Sequence, residues 1–268
     1  MKTFRTFISI TLAVLVYSVK AQESMIAEPV DKILLEEIKQ DTVQNELYKP
    51  FDFNLQVKNM HLWRGFRVTD APMTAADVSF KSKNGKIKAG IWGGAGFNGD
   101  YTEFDYYISY SSGGFYLAVW DINNFSDFPN ANIFNYDKDT TSHFVDITAS
   151  YTFKKIPISF SWSTIFIGRD TYVDNETGTT KNAFTNFLQL NAKVYERVDS
   201  SLILYISGAF SPVSRDIHFY GQDFLNSFGI IYNKDVNLFN EKVLPVSATA
   251  LWNADLNYGA LQVAVSLF

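Results

Sequence analysis

The sequence has 268 residues, no cysteine and a formal net charge of −5 at pH 7. The missing cysteines exclude disulfides and a lipid-bearing cysteine anchor, and the acidic balance argues against a nucleic-acid partner. Aromatic residues make up 16% of the chain while its mean hydropathy is −0.06. That combination argues against a bundle of apolar membrane helices, which need long apolar runs.

Residues 1–21 are typical of a cleavable export signal. Lys2 and Arg5 supply positive charge, residues 7–19 are apolar, and Ala21 precedes the predicted cleavage site. A membrane anchor is the alternative, but the apolar stretch is short for a span. Residues 22–49 are charge-rich. We interpret them as a periplasmic linker with one short helix around residues 30–39, with a plug or partner-binding helix as the alternative.

From residue 50 to residue 268, apolar and polar residues alternate in strand-length segments. Phe104, Tyr106 and Ile108 fall on one side of such a segment, while Glu103 and Asp105 fall on the other. A strand has a side-chain period of two, so each segment has one apolar and one polar face. The predicted strands are residues 51–66, 74–81, 86–95, 101–110, 115–121, 144–153, 156–168, 183–195, 202–211, 223–232, 243–252 and 258–268. This series predicts an all-β fold, an antiparallel transmembrane β-barrel of about 12 strands with lipid outside and water inside.

The lengths of the connections predict how the barrel is oriented. Asn84-Gly85 is a tight hairpin turn, and connections after even-numbered segments are short as far as the eighth. Connections after odd-numbered segments are longer or glycine-rich, until the last pair, where residues 233–242 are long and 253–257 short. Outer-membrane barrels have short periplasmic turns and longer external loops. We therefore predict a location in the outer membrane, reached by export, with both termini in the periplasm.

An ordered succession of motifs resembles one family. Trp63-Arg64-Gly65-Phe66 is followed by Pro72, by residues 88–94 with the sequence KAGIWGG, and by residues 103–107 with the sequence EFDYY. This order is similar to that of the TorF-type porins, outer-membrane barrels of Gram-negative bacteria. The likeness covers residues 51–121, under a third of the chain. The resemblance implies an outer-membrane barrel with porin activity.

The C-terminus matches the barrel-assembly signal of such proteins in part. Phe268 is the expected terminal aromatic residue, but counting back by twos gives Ser266, Ala264 and Gln262, while Leu267 lies on the more apolar face. A bulge or a non-standard register near the end would reconcile the two faces. We expect the barrel-assembly machinery to be a partner during insertion.

Charged residues on the polar faces are predicted to line the lumen, because a charge facing lipid costs about 2–4 kcal/mol. The strongest predicted cluster combines Arg64 with Glu103 and Asp105 near the outer end of the barrel. It has two interpretations: a constriction whose field selects solutes, or a salt-bridge network that braces a narrow lumen. The lumen candidates are Arg64, Glu103, Asp105, Lys58, Asp77, Lys88 and Asp146.

Aromatic residues fall on both faces. On the inner face they would form a sugar-stacking track or simply fill the lumen: Trp92, Tyr107, Tyr116 and Trp120. On the outer face they predict the interfacial girdles of a membrane barrel: Phe53, Trp63, Phe80, Phe104, Tyr106, Tyr110, Tyr151, Phe160 and Trp162.

An enzymatic barrel would need a serine with a histidine in reach. The histidines are His61, His143 and His218. His61 is predicted to face outward near the outer leaflet, but the next strand offers no matching serine. The acidic loop with Asp127, Asp137 and Asp139 is either a calcium site or a solvated loop. We expect no enzymatic activity, no cofactor and no resident metal.

The sequence therefore predicts a porin that gives passive passage to small hydrophilic solutes, with outer-membrane lipid around it. One alternative is a closed structural or adhesion barrel that binds a partner through its external loops. The other is a lipid-modifying enzyme of the outer membrane.

Overall fold

A computed structural model describes residues 48–128, 132–215, 217, 221–238 and 242–268. The predicted export signal, and all of the predicted linker except its last two residues, lie outside these ranges. The described chain forms strands only, and none of it is a helix long and apolar enough to cross a membrane. In chain order the strands are β1 (Phe51–Lys58), β2 (His61–Trp63), β3 (Phe66–Thr69), β4 (Met73–Lys81), β5 (Ile87–Gly96), β6 (Thr102–Ser112), β7 (Phe115–Asn123), β8 (His143–Thr152), β9 (Ile158–Gly168), β10 (Thr171–Val173), β11 (Thr180–Asn182), β12 (Asn186–Arg197), β13 (Ser200–Phe210), β14 (Leu225–Asn237), β15 (Val243–Asn253) and β16 (Tyr258–Ser266).

Twelve of these strands close into one antiparallel barrel. The wall runs in the order β1, β16, β15, β14, β13, β12, β9, β8, β7, β6, β5 and β4, and β4 pairs again with β1. The closing seam joins the first and last strands through the pairs Gln56–Ser266 and Lys58–Ala264. The predicted all-β, antiparallel barrel of about 12 strands is confirmed.

The first predicted strand, residues 51–66, is wrong in its second half. β1 ends at Lys58, and the chain then leaves the wall, where the Asn59 side chain bonds to the backbone of the neighbouring strand β16. Asn59 Nδ2 donates to Leu261 O at 3.0 Å, and Asn59 Oδ1 accepts from Val263 N at 2.6 Å. β2 and β3 then form a separate two-stranded sheet, which we call the luminal hairpin (residues 61–69).

The outer face of the barrel is apolar. Ile108 is 54% exposed there, while its neighbours Tyr107 and Ser109 on the inner face are buried. Predicted girdle residues that lie exposed on the outer face are Phe53, Phe80, Phe104, Tyr110, Tyr151, Phe160 and Trp162, and Tyr106 is half-buried. Trp63 is the exception, because it belongs to the luminal hairpin and packs against Phe144 inside. A continuous apolar band of this extent fits lipid better than water.

Connection lengths separate the two ends of the barrel. At the end that carries both Phe51 and Phe268, which we call the turn end, the connections are residues 82–86, 113–114, 153–157, 198–199 and 238–242. At the opposite loop end they are residues 59–72, 97–101, 124–142, 169–185, 211–224 and 254–257. The predicted long connection 233–242 is wrong, because β14 continues to Asn237 before it turns. Every turn-end connection is therefore five residues or shorter.

The C-terminus needs no bulge. Ser266 and Gln262 are buried on the inner face, while Leu261 is exposed on the outer face. β16 ends at Ser266, so Phe268 no longer follows the strand alternation. Its ring lies outside the barrel, 5.8 Å from the ring of Phe53.

Candidate functional site: the luminal hairpin and the cavity beside it

The luminal hairpin crosses the interior of the barrel at the loop end. On one side it is hydrogen-bonded to β15 and β16: Leu62 N donates to Gln262 Oε1 at 2.8 Å, and Gly65 O accepts from Asn253 Nδ2 at 3.0 Å. Tyr258 Oη also donates to Gly65 O, at 3.1 Å. The polar backbone of the hairpin is therefore satisfied by inward-facing side chains of the wall, as burial requires.

Gly65 places the tip of the hairpin against β14. Its φ angle is +77°, and a Cβ atom there would lie 2.3 Å from both Asn226 Oδ1 and Ser227 Oγ. Arg64, the residue before it, has a φ angle of +49°. Two successive positive φ angles match a type I′ hairpin turn, and only glycine fits the second position here.

Arg64 ties the tip of the hairpin to the opposite wall. Its guanidinium donates to both carboxylate oxygens of Asp146 on β8, each at 2.6 Å, and to Thr148 Oγ1 at 3.0 Å. Asp146 is fully buried, and Thr148 also donates to it at 2.9 Å. Bidentate arginine–carboxylate pairs are directional as well as strong. Arg64 therefore forms its ion pair with Asp146. The predicted cluster had combined it with Glu103 and Asp105 instead.

Apolar contacts hold the rest of the hairpin. Leu62 packs in a buried cluster with Ile203, Tyr205, Ile231 and Leu251 of the strands β13 to β15. The Trp63 ring lies 5.5 Å from Phe144 on the other side of the lumen. The hairpin is consequently anchored on both walls and narrows the barrel between them.

His61 also lies inside the barrel. Its ring stacks at 5.7 Å on Trp92 and lies 5.6 Å from Tyr101, and the residue is buried. The prediction that His61 faces the outer leaflet is wrong, because the chain leaves the wall two residues earlier.

Glu103 and Asp105 lie side by side on the inner face of β6. Glu103 Oε2 accepts from Asn124 Nδ2 at 3.0 Å, and Asp105 Oδ1 accepts from Asn123 N at 3.1 Å. Both carboxyl groups line the cavity that Arg64 also lines. They fasten the start of the 124–142 connection, and they leave acidic groups beside the hairpin.

The remaining charged lumen candidates lie on β1, β4 and β5. Asp77 accepts a hydrogen bond from Tyr107 Oη at 2.8 Å, and its carboxylate lies 3.5 Å from Lys88 Nζ. Lys58 is buried at the end of β1. Asp77 and Lys88 form a neutral pair, so the charge of each is balanced locally.

The inner-face aromatic residues pack mainly on one another. Tyr107 and Trp120 stack with ring centroids 4.1 Å apart and planes 20° apart, and Tyr116 is fully buried beside them. Trp92 packs against the same cluster. Because these ring faces are already covered, lumen filling describes them better than an open stacking track does.

A cavity remains beside the hairpin. Its volume is about 140 Å³, measured as the space open to the centre of a water molecule. This is well above the roughly 10–15 Å³ that a cavity needs to hold one water molecule, so it has room for several. Most of its lining is apolar and includes Trp92, Trp120 and Leu251. Polar groups in the lining come from Thr148, Ser161, Ser163 and Gln189. Such a space fits a small hydrated solute.

His143 forms a polar contact with Asp121 at the loop end of the barrel. Its Nδ1 lies 2.7 Å from Asp121 Oδ1, its ring is buried under Tyr136 at 4.6 Å, and Tyr136 Oη donates to Asp121. Its buried Nε2 has no hydrogen-bond partner within the described ranges. A hydrolase nucleophile would have to bond to that atom, so this pair offers no Ser-His-Asp arrangement. His218 lies outside the described residues.

The acidic connection at 124–142 assembles no metal site in the part of the chain that the structure describes. Asp127, Asp137 and Asp139 are exposed there, and no group of three or more histidine, aspartate or glutamate side chains is placed to share an ion. Asp137 instead accepts a backbone hydrogen bond from Asp139 at 2.9 Å.

Comparisons with known proteins return similar folds only among solved structures. No family model and no curated protein matches the chain. A NanC porin structure is 8% identical, with a TM-score of 0.47, over 80% of this chain and 98% of that chain. A triple mutant of the Rhodopseudomonas blastica porin is 14% identical, with a TM-score of 0.36, over 72% of this chain and 54% of that chain. Membership of the TorF-type porins stays a prediction.

Proposed function

We propose that this protein is an outer-membrane channel for small hydrophilic solutes, and that the luminal hairpin sets its constriction. One observation carries the proposal: a cavity lined by apolar side chains together with several polar and charged ones lies beside the hairpin, inside a closed barrel whose outer face is apolar. Passage is passive, and the hydroxyl and amide groups of the lining lower its barrier by replacing part of the water around a solute.

Membrane placement follows from the same surfaces. A closed barrel leaves no unpaired strand edge, so its backbone is satisfied without water. The apolar outer face is suited to lipid contact, and the short connections support a periplasmic position for the turn end. The predicted export signal is consistent with this location.

A closed structural barrel is the second candidate, and a specific observation favours it. The apolar clusters around Leu62 and Trp63 fill much of the lumen at the level of the hairpin. In that case the cavity holds only trapped water, and the external loops carry the function by binding a partner.

Liposome swelling separates the two candidates. The full-length protein is reconstituted into vesicles, which are diluted into isotonic glycerol, a pentose or a trisaccharide. A channel of this size gives swelling with glycerol, slower swelling with the pentose and none with the trisaccharide. Swelling no faster than that of protein-free vesicles for every solute would overturn the channel and favour the closed barrel.

A further inference from the structure

Exposed cations surround the turn end of the barrel. They lie in or beside the connections before β1, between β4 and β5, between β8 and β9, after β12 and before β15. The exposed members are Lys49, Lys83, Lys86, Lys154, Lys155, Arg197 and Lys242. We call this set the basic rim.

Few acids offset the basic rim. Among the described residues of the turn end, Asp52 and Asp235 are the exposed acids. Glu196 and Asp199 are each engaged by a lysine of their own, Lys193 at 3.1 Å and Lys234 respectively. The basic rim therefore keeps a positive potential.

The loop end has the opposite balance. Its exposed cations within the described ranges are Arg67, Lys138, Lys181 and Arg215. Its exposed acids there are Asp70, Asp100, Asp127, Asp137, Asp139, Glu176 and Asp223. The two ends of the barrel thus differ in sign, although the chain as a whole is acidic.

The basic rim lies at the boundary of the apolar outer band. Lys154 and Lys155 are flanked by Phe153 and Ile156, which are 43% and 47% exposed. The Arg197 guanidinium lies 5.6 Å from the ring of Tyr195. Lysine and arginine side chains at such a boundary extend along apolar surface while their charges reach the headgroup layer.

We infer that the basic rim binds the anionic headgroups of phospholipids in the leaflet that surrounds the turn end. The inference rests on the proposed membrane placement. Anionic leaflets attract lysine and arginine close to their surface, and ammonium and guanidinium groups donate hydrogen bonds to phosphate.

The spacing of the cations favours lipid over an acidic protein partner. They are distributed among five separate positions around the circumference, each next to exposed apolar side chains such as Phe51 and Val198. A protein partner would be met by a single contiguous patch, whereas a ring of this kind matches the lipid annulus.

Electron spin resonance with spin-labelled lipids tests the inference. The full-length protein is reconstituted into phosphatidylcholine vesicles with a trace of spin-labelled phosphatidylglycerol or phosphatidylcholine, and the motionally restricted fraction of each is measured. We expect phosphatidylglycerol to be preferred over phosphatidylcholine by about fivefold, because the attraction between one basic residue and an anionic lipid surface corresponds to a factor of this size. High salt should reduce this preference.

Two variants test whether the basic rim is the source of this lipid preference. The quadruple variant Lys83→Gln, Lys86→Gln, Lys154→Gln, Lys155→Gln should lose most of it. The matched loop-end variant Lys138→Gln, Arg215→Gln should keep it. An absent preference in the wild type, or one that the quadruple variant retains, would overturn the inference while leaving the channel standing. If neither lipid is restricted, the membrane placement fails and the inference fails with it.

Discussion

Arg64 is the residue on which the luminal hairpin most depends for its electrostatic balance. Its guanidinium neutralises the fully buried Asp146, and both line or adjoin the cavity. A buried carboxylate that loses its partner keeps its charge at a high cost, typically 3–5 kcal/mol, or becomes protonated. The pair therefore acts on both the position of the hairpin and the field in the cavity.

We expect Arg64→Ala to move the reversal potential of the channel toward cation selectivity, because Asp146 is left uncompensated beside the cavity. The double variant Arg64→Ala, Asp146→Asn should return selectivity close to that of the wild type. Arg215→Ala, which removes an exposed loop arginine, is the control. Reversal potentials measured in a salt gradient that are the same for all four proteins would contradict this role.

Gly65 is the other residue that the hairpin requires. Gly65→Ala should lower the free energy of unfolding by more than the roughly 1–2 kcal/mol that a positive φ angle costs an alanine. The additional loss of stability comes from the steric overlap of the alanine Cβ atom with the side chains of Asn226 and Ser227.

Gly178→Ala is a matched control for Gly65→Ala. Gly178 has a φ angle of +65°, but nothing lies within 4 Å of its added Cβ atom. Urea unfolding in detergent should show a smaller loss for Gly178→Ala. Equal losses would mean that the tip of the hairpin does not pack on β14.

Among the elements, the β10–β11 hairpin lies outside the barrel wall, and the carboxylate of Asp174 stabilises it. Asp174 accepts from Lys181 Nζ at 2.6 Å and from Thr177 N at 2.9 Å. These bonds, that of Lys181 first, hold the pKa of the Asp174 carboxyl well below its usual range. The same Lys181–Asp174 bond raises the pKa of Lys181.

The lowered pKa of Asp174 fixes the sign of the acid dependence. A carboxyl group whose pKa is lower in the folded state than in the unfolded state stabilises the fold. This stabilisation is fully present above the unfolded-state pKa, near 3.9, and is lost as the pH falls through the folded-state pKa. We therefore expect the amide NMR signals of Thr177 and Gly178 to titrate with a midpoint well below pH 3.9. Asp174→Asn should remove this step. A midpoint at or above pH 3.9 would contradict the hydrogen-bonded arrangement.

The luminal hairpin is the element that sequence reasoning missed. The alternation of β1 breaks at Asn59, Met60 and Leu62 and resumes at Trp63 and Arg64, and the predicted strand 51–66 bridges that break. The available signal was length, because a barrel strand needs only about 9–11 residues to cross a membrane. Arg64-Gly65 was a second signal, since a glycine within a strand pattern often marks a turn or bulge.

Long-range partners were beyond the reach of the sequence. The inner-face position of Asp146 follows from the alternation in β8, but its pairing with Arg64 depends on where the hairpin tip lies within the closed barrel. The side of the wall that each residue faces was therefore predictable for most of the chain, whereas contacts inside the lumen were not. The predictions for His61 and Trp63 are wrong for a different reason, since the first predicted strand extends past Lys58.

At the scale of the whole molecule, closure of the barrel and division of its surfaces follow from the alternation itself. Twelve strands give a lumen narrow enough for one hairpin to bridge from β14–β16 to β8. The apolar outer band, the acidic loop end and the basic rim together define the axis along which we propose that the barrel crosses a membrane. We propose that the luminal hairpin narrows a passage along that axis.

Single-channel conductance in planar bilayers tests whether the hairpin narrows the passage. Lys58 and Met73 are paired neighbours in the wall, so residues 59–72 can be replaced by an Asn-Gly turn without separating β1 from β4. We predict small conductance steps for the wild type and steps several-fold larger for the shortened protein. Equal steps in both proteins, or silence in both while the barrels remain folded, would contradict the account.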